Sequence, residues 1–158
     1  MLDKRGNQVV FPEGEKRGGN DYLPPLGWFR CGVRVKDIYD NGNNDWLSWE
    51  PEKFGQWSIG YHGISILPDD SFDYENENDY KHPGKKIGKS ILCYQDPKDM
   101  EKNIEFIIIP NGQMWKLGFM LRVEPNSIRA KESKNTFWFL NGTPDELRPY
   151  GILIKECS

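Results

Sequence analysis
The residues of this chain that can do chemistry are few: two histidines, three cysteines and a scatter of acids. His62 stands in "WSIGYHGISIL", residues 57–67, between an aromatic residue and a glycine inside an apolar run. A glycine there lets a ligand come close to the backbone, whose N–H and C=O both hydrogen-bond. The imidazole beside it can donate to a sugar hydroxyl. The simpler role for His62 is a histidine kept by the fold and hydrogen-bonded to a neighbour. His82 precedes a proline in a polar stretch and carries little weight. Two histidines and scattered cysteines make no metal set. There is no P-loop and no GxGxxG. The acids Asp69 and Asp70 sit in a polar loop, where a solvated role is the default.

The elements that must position His62 read mostly as strands. "GWFRCGVRV" alternates as a strand does, and "QWSIGYHGISIL" predicts a strand ending near Gly63. "IGKSILCY", "IEFIIIP", "MWKLGFMLRVEP", "FWFL" and "YGILIKE" supply the others, with "IEFIIIP" read as buried. "DPKDMEKN" predicts a brief helix capped by Asp96 with Pro97 at its first position. Asn111-Gly112 predicts a hairpin turn with positive φ at both residues. Residues 68–86 are acidic and bounded by Pro68 and Pro83, so they predict a long exposed loop rather than a helix. Residues 1–20, rich in Gly and charge, predict a flexible arm ahead of one domain over 21–158.

Composition narrows the function classes. The chain has 158 residues, 37% hydrophobic and 28% charged, with a net charge of −3. That suits a single polar domain with its own core. No basic field points to nucleic acid or anionic lipid. The apolar runs are too short for a transmembrane helix, and the first residues lack the apolar core of a signal peptide. Cys31, Cys93 and Cys157 are scattered without a CxxC pair, which predicts free thiols in a reducing, cytoplasmic compartment. Asn141-Gly142-Thr143 fits the glycosylation pattern but reads as a turn.

"YHG" in a strand-rich domain resembles the first motif of the ADP-ribosyltransferase superfamily, in the branch related to the poly(ADP-ribose) polymerases. "YLPPLGWFRCGVRV", "NDWL", "GQWSIGYHG", "WKLGFMLRVEP" and "DELRPYGILIKE" resemble, in the same order, a divergent eukaryotic group of that branch and cover most of residues 22–156. The resemblance implies an α+β fold: two small, mostly antiparallel sheets packed together, with few short helices. It implies NAD as the cofactor of active members. His62 would bind the nicotinamide ribose and the Gly63 backbone the carboxamide. A Tyr on the second motif strand would stack on nicotinamide, and a Glu on a later strand would steady the charge that develops as nicotinamide leaves.

Against that motif set the chain keeps His62, Gly63 and Gly88. It carries Ile64 where Thr or Ser normally follows, Ser90 for the second glycine, and Leu92 for the stacking tyrosine. Tyr94, two residues on, shares the face of Leu92 and is the replacement candidate. Tyr150 or Gly151 occupies the place of the catalytic Glu, which leaves Glu146 and Glu156 as weak candidates. Losing one preorganised electrostatic group costs about 2.7–4 kcal/mol, or roughly 10²–10³ in rate. The expectation is therefore a non-catalytic module without a cofactor. It would act as a protein-binding or structural component of an intracellular assembly; Trp28, Trp46, Trp57, Trp115 and Trp138 read first as core, with some of the aromatic surface left for a partner. The alternative is a mono-ADP-ribosyltransferase that uses NAD through a rearranged site.

Overall fold
The computed structural model describes residues 15–64, 91–128, 137–140 and 143–157. The loop expected over 68–86, His82, Asp69, Asp70, Gly88, Ser90 and the Asn141-Gly142 turn lie outside the described residues.

The architecture is α+β, with two antiparallel sheets and few short helices. The sheets are very unequal. The large one has seven strands in the order β3-β9-β7-β4-β5-β8, with β6 paired to β7. Its strands are β3 Phe29–Gly32, β4 Ser58–Ile64, β5 Ile91–Tyr94, β6 Ile107–Ile108, β7 Met114–Val123, β8 Phe137–Leu140 and β9 Leu147–Cys157. The small one is a ribbon of β1 Lys16–Arg17 and β2 Asn20–Asp21. Two small sheets packed together were expected. The strands instead join into one sheet because β7, ten residues long, pairs with β4 on one side and β9 on the other.

The small ribbon also moves the boundary of the expected arm. Residues 15–20 belong to the fold. Gly18 N donates to Gln56 Oε1 (3.0 Å) and Asn20 Nδ2 donates to Ser58 Oγ (2.8 Å). A Cβ on Gly18 would lie 2.5 Å from Ser58 N, and its φ is +56°. Glycine is needed there for both reasons.

The one α-helix among the described residues, α1 Pro97–Lys102, starts as the sequence predicts. The Asp96 carboxylate accepts from Lys98 N at 2.8 Å, and Pro97 opens the first turn, where no N–H is needed. The stretch "IEFIIIP" differs from expectation. Only Ile107–Ile108 pairs, and Phe106 and Ile108 are exposed. Ile104 alone of its first three residues is buried. The hairpin after it also differs. Gly112 has φ +83°, whereas Asn111 is not among the positive-φ residues. Gly112 N donates to Ile109 O (2.9 Å), closing a turn with Pro110 at its second position. Proline fixes φ near −65°, so the turn is built on negative φ and only the glycine behind it goes left-handed.

Pro149 lies inside β9, a central strand, where a missing N–H would break the ladder. The register resolves this with a bulge: Met120 pairs with Gly151 and Leu121 with Pro149, which leaves Tyr150 without a partner on β7. One face of the sheet carries the larger core, with Ile59, Tyr61, Met100, Ile104, Met120 and Leu153 among its residues. The other carries Cys93, Leu121 and Val123, flanked by Phe119, Ile128 and Leu147. Among the described residues no helix is long and apolar enough to cross a membrane.

Candidate functional site
Strand alternation sends the side chains of His62 and Tyr61 to opposite faces, and Gly63 belongs with Tyr61. On the Gly63 face the space that a side chain would fill is taken. A Cβ on Gly63 would fall 1.9 Å from Ile104 Cγ2 and 3.5 Å from Met100 Cγ. Its cross-strand partner is Gly118, where a Cβ would lie 2.9 Å from Met100 Sδ. The two glycines form a flat notch in the sheet, and Met100 and Ile104 seat in it. A close approach to the Gly63 backbone was expected from a ligand. In the structure it comes from the chain's own Ile104.

On the other face, half-buried His62 stands opposite Phe119 of β7. Phe119 in turn pairs with Ile152, and Ile152 with Cys31. The row that crosses the sheet at His62 therefore holds no carboxylate over these strands. The Tyr61–Tyr94 pairing places Cys93 beside His62 on β5. Burial alone pushes the Cys93 thiol up to about 12, so a thiolate nucleophile is not available there.

The replacement candidates do not gather at His62. Tyr94 pairs with Tyr61 and so faces the Gly63 side. It is 1% exposed, and burial, then Asp99, raise its phenol to about 12. Glu156 pairs with Trp115, four residues along β9 from Ile152, or about 13 Å. Glu146 lies ahead of β9, its carbonyl accepting from Glu124 N (2.8 Å). Among the described residues a cleft of about 140 Å³ lies between residues 23–28 and the start of α1. Small-molecule sites usually need about 300–1,000 Å³. The cleft is lined by Leu23, Trp28, Asp96 and Glu101 among others, and by none of His62, Gly63 or Tyr94.

Sequence reasoning missed the arginines. Arg30, Arg122 and Arg17 alternate with Tyr150, Trp49 and Tyr22 in a cation–π ladder. Arg30 lies 5.1 Å from the Tyr150 ring, and Arg122 lies 5.3 Å from Tyr150 and 4.9 Å from Trp49. Arg17 lies 4.9 Å from Trp49 and 5.6 Å from Tyr22. Arg122 is fully buried, and burial lowers it to about 10. Its Nη1 donates to Trp57 O (2.8 Å) and its Nη2 to Leu47 O and Ser48 O (3.1 Å each). Arg17 is ion-paired to Glu15. A third buried arginine, Arg148, grips Asp40 in a bidentate pair at 2.7 and 2.8 Å beneath Tyr39, Trp46 and Trp57. Its guanidinium, through the hydrogen bonds first, holds the Asp40 carboxyl below its usual range. These arginines come from four separate stretches of chain, and no spacing in the sequence marks them.

The exposed end of the ladder is Arg30 on β3, the outermost described strand on its side of the sheet. Large apolar side chains are exposed along the same stretch of chain: Leu23, Leu26, Phe29, Val33 and Ile38. All three cysteines are free thiols. No family model, curated protein or solved structure matches the chain.

Proposed function
We propose that the chain is a non-catalytic module of ADP-ribosyltransferase-like fold that works by binding other proteins within a larger intracellular assembly. The observation that carries this reading is the filled notch at Gly63: Ile104 occupies the space where the motif's glycine would admit a ligand. The His62 row without a carboxylate supports it. So does the placing of Tyr94, Glu146 and Glu156 away from that row. The apolar side chains exposed on and flanking β3 in the chain, over residues 23–38, supply a surface for a partner. The free cysteines suit a reducing compartment.

The test is incubation with labelled NAD and candidate acceptor proteins. No label transfer is expected, from the native chain or from His62→Ala. Transfer that vanishes in His62→Ala overturns the reading in favour of a mono-ADP-ribosyltransferase. Loss of that transfer in Glu146→Gln or Glu156→Gln then names the carboxylate.

A further inference from the structure
β9 holds one side of β3, and among the described residues nothing pairs with the other. Val33 N donates to Tyr150 O (3.0 Å), so residues 31 and 33 exchange hydrogen bonds with β9. Antiparallel alternation then turns the N–H and C=O of Arg30 and Gly32 to the outer edge. Such an edge is a template for another strand unless something blunts it. From Pro24 to Lys36 the chain has no acidic residue, while Arg30, Arg34 and Lys36 are basic and exposed. Lysines on an edge can serve only to repel. Arg30 differs, because its guanidinium is fixed by stacking on Tyr150 and has no hydrogen-bond acceptor among the described residues. The ladder it ends holds three guanidiniums, its own included, and Glu15 is the one carboxylate ion-paired to that ladder among the described residues. The charge that would complement this edge is negative.

We propose that β3 takes up an acidic, extended segment of a partner protein as an added strand. Its backbone would pair with Arg30 and Gly32, its carboxylates would meet Arg30, Arg34 and Lys36, and its apolar residues would lie against Val33 and Leu26. The inference rests on the protein-binding reading and names the partner's chemistry.

The probe is a fluorescent peptide of alternating Glu and Val, about eight residues long, enough to run along β3 and past it. Its controls are the same peptide with alternate amides N-methylated and an alternating Lys–Val peptide. Binding of the Glu–Val peptide is expected by anisotropy, with protection of the Arg30 and Gly32 amides from hydrogen exchange. Weakening by about tenfold or more is expected on N-methylation and in Arg30→Glu/Arg34→Glu. The N-methylated arm uses the unaltered chain, so it decides even where the double variant folds poorly. Absence of Glu–Val binding overturns the proposal, and so does equal binding of the N-methylated peptide, which would mean charge attraction alone. Protection of the same amides that grows with protein concentration, without peptide, also overturns it, by assigning the edge to a second copy. Failure of the peptide with no NAD transfer removes only the acidic strand. His62-dependent NAD transfer removes the protein-binding reading whatever the peptide does.

Discussion
The two sides of β4 are set by neighbouring residues and are built differently. Gly63 faces α1, where its missing side chain is the seat of Ile104 and Met100. His62 faces the opposite way, into a row of Phe119 and Ile152 with Cys93 alongside. In sequence the two residues look like one motif aimed at one ligand. In the sheet, period-two alternation splits them: the absent Cβ is explained on one face, and the imidazole belongs to the other. The Gly63 side is also the side of Arg122, whose cross-strand partner is Ile59. That side should therefore be the unforgiving one.

The largest effect is expected at Arg122. Arg122→Met leaves the carbonyls of Trp57, Leu47 and Ser48 without their buried donor and removes the ladder's central cation. A loss of about 4 kcal/mol is expected, measured by denaturant unfolding. A loss under about 1 kcal/mol would mean that Arg122 does not hold residues 47–49 to the sheet.

Gly63→Ala comes next. The added methyl meets Ile104 Cγ2 at 1.9 Å, and Ile104 Cβ at 3.2 Å limits how far that side chain can swing away. Overpacking of this kind costs about 2–3 kcal/mol. Ile104→Ala alone should cost about 3 kcal/mol by leaving a cavity. The double variant should cost less than the sum by at least about 1 kcal/mol, because each change relieves the other. Strict additivity would show that Ile104 does not sit in the notch.

These contacts mark where the sequence stops being legible. The helix start was readable because Asp96 and Pro97 are local signals, each acting within two residues of itself. Most strands were readable from alternation. The fate of "IEFIIIP" was not, since a run of apolar residues does not say that Phe106 and Ile108 face solvent while Ile104 turns inward. The Asn-Gly signal was overruled by Pro110, which fixes φ one residue earlier. Gly118 and Gly63 lie 55 positions apart and meet only through strand pairing, so the notch had no sequence signature. The same holds for the ladder, where Arg17, Arg30 and Arg122 come from three unrelated segments.

On the other side of β4 the effects should shrink. His62 is half-buried, and His62→Ala removes a ring packed beside Phe119 rather than a side chain locked in a notch. A loss of about 1 kcal/mol is expected by thermal unfolding, well below that of Gly63→Ala. If His62→Ala proved the costlier of the two, the comparison would be inverted, and His62 would anchor its face.

The smallest effect is a pH dependence at Cys93, next to His62. Burial raises its thiol from 9.0 to about 12. The folded chain thus keeps the proton through a range in which the unfolded chain gives it up. Stability from this group is full below pH 9.0 and falls as pH rises from there toward about 12. The buried tyrosines, Tyr22, Tyr61, Tyr94 and Tyr150, are also raised by burial and act with the same sign from pH 10.0 upward. Arg122, lowered to about 10, acts with the opposite sign above that value. All of these are common to the native chain and to Cys93→Ala, so they cancel when the two are compared. At pH 8 the variant should be the less stable by about 1 kcal/mol, the cost of a small cavity. Between about pH 8 and about pH 10 that gap should close by about 1 kcal/mol, read from denaturant unfolding at each pH. An imidazolium at His62 holding Cys93 as a thiolate would depress the thiol instead. The native chain would then gain on the variant as pH rose from about 7 to about 9, and the gap would widen. A widening gap would turn the apolar side of β4 into a charged pair, and would return His62 to the list of groups that can do chemistry.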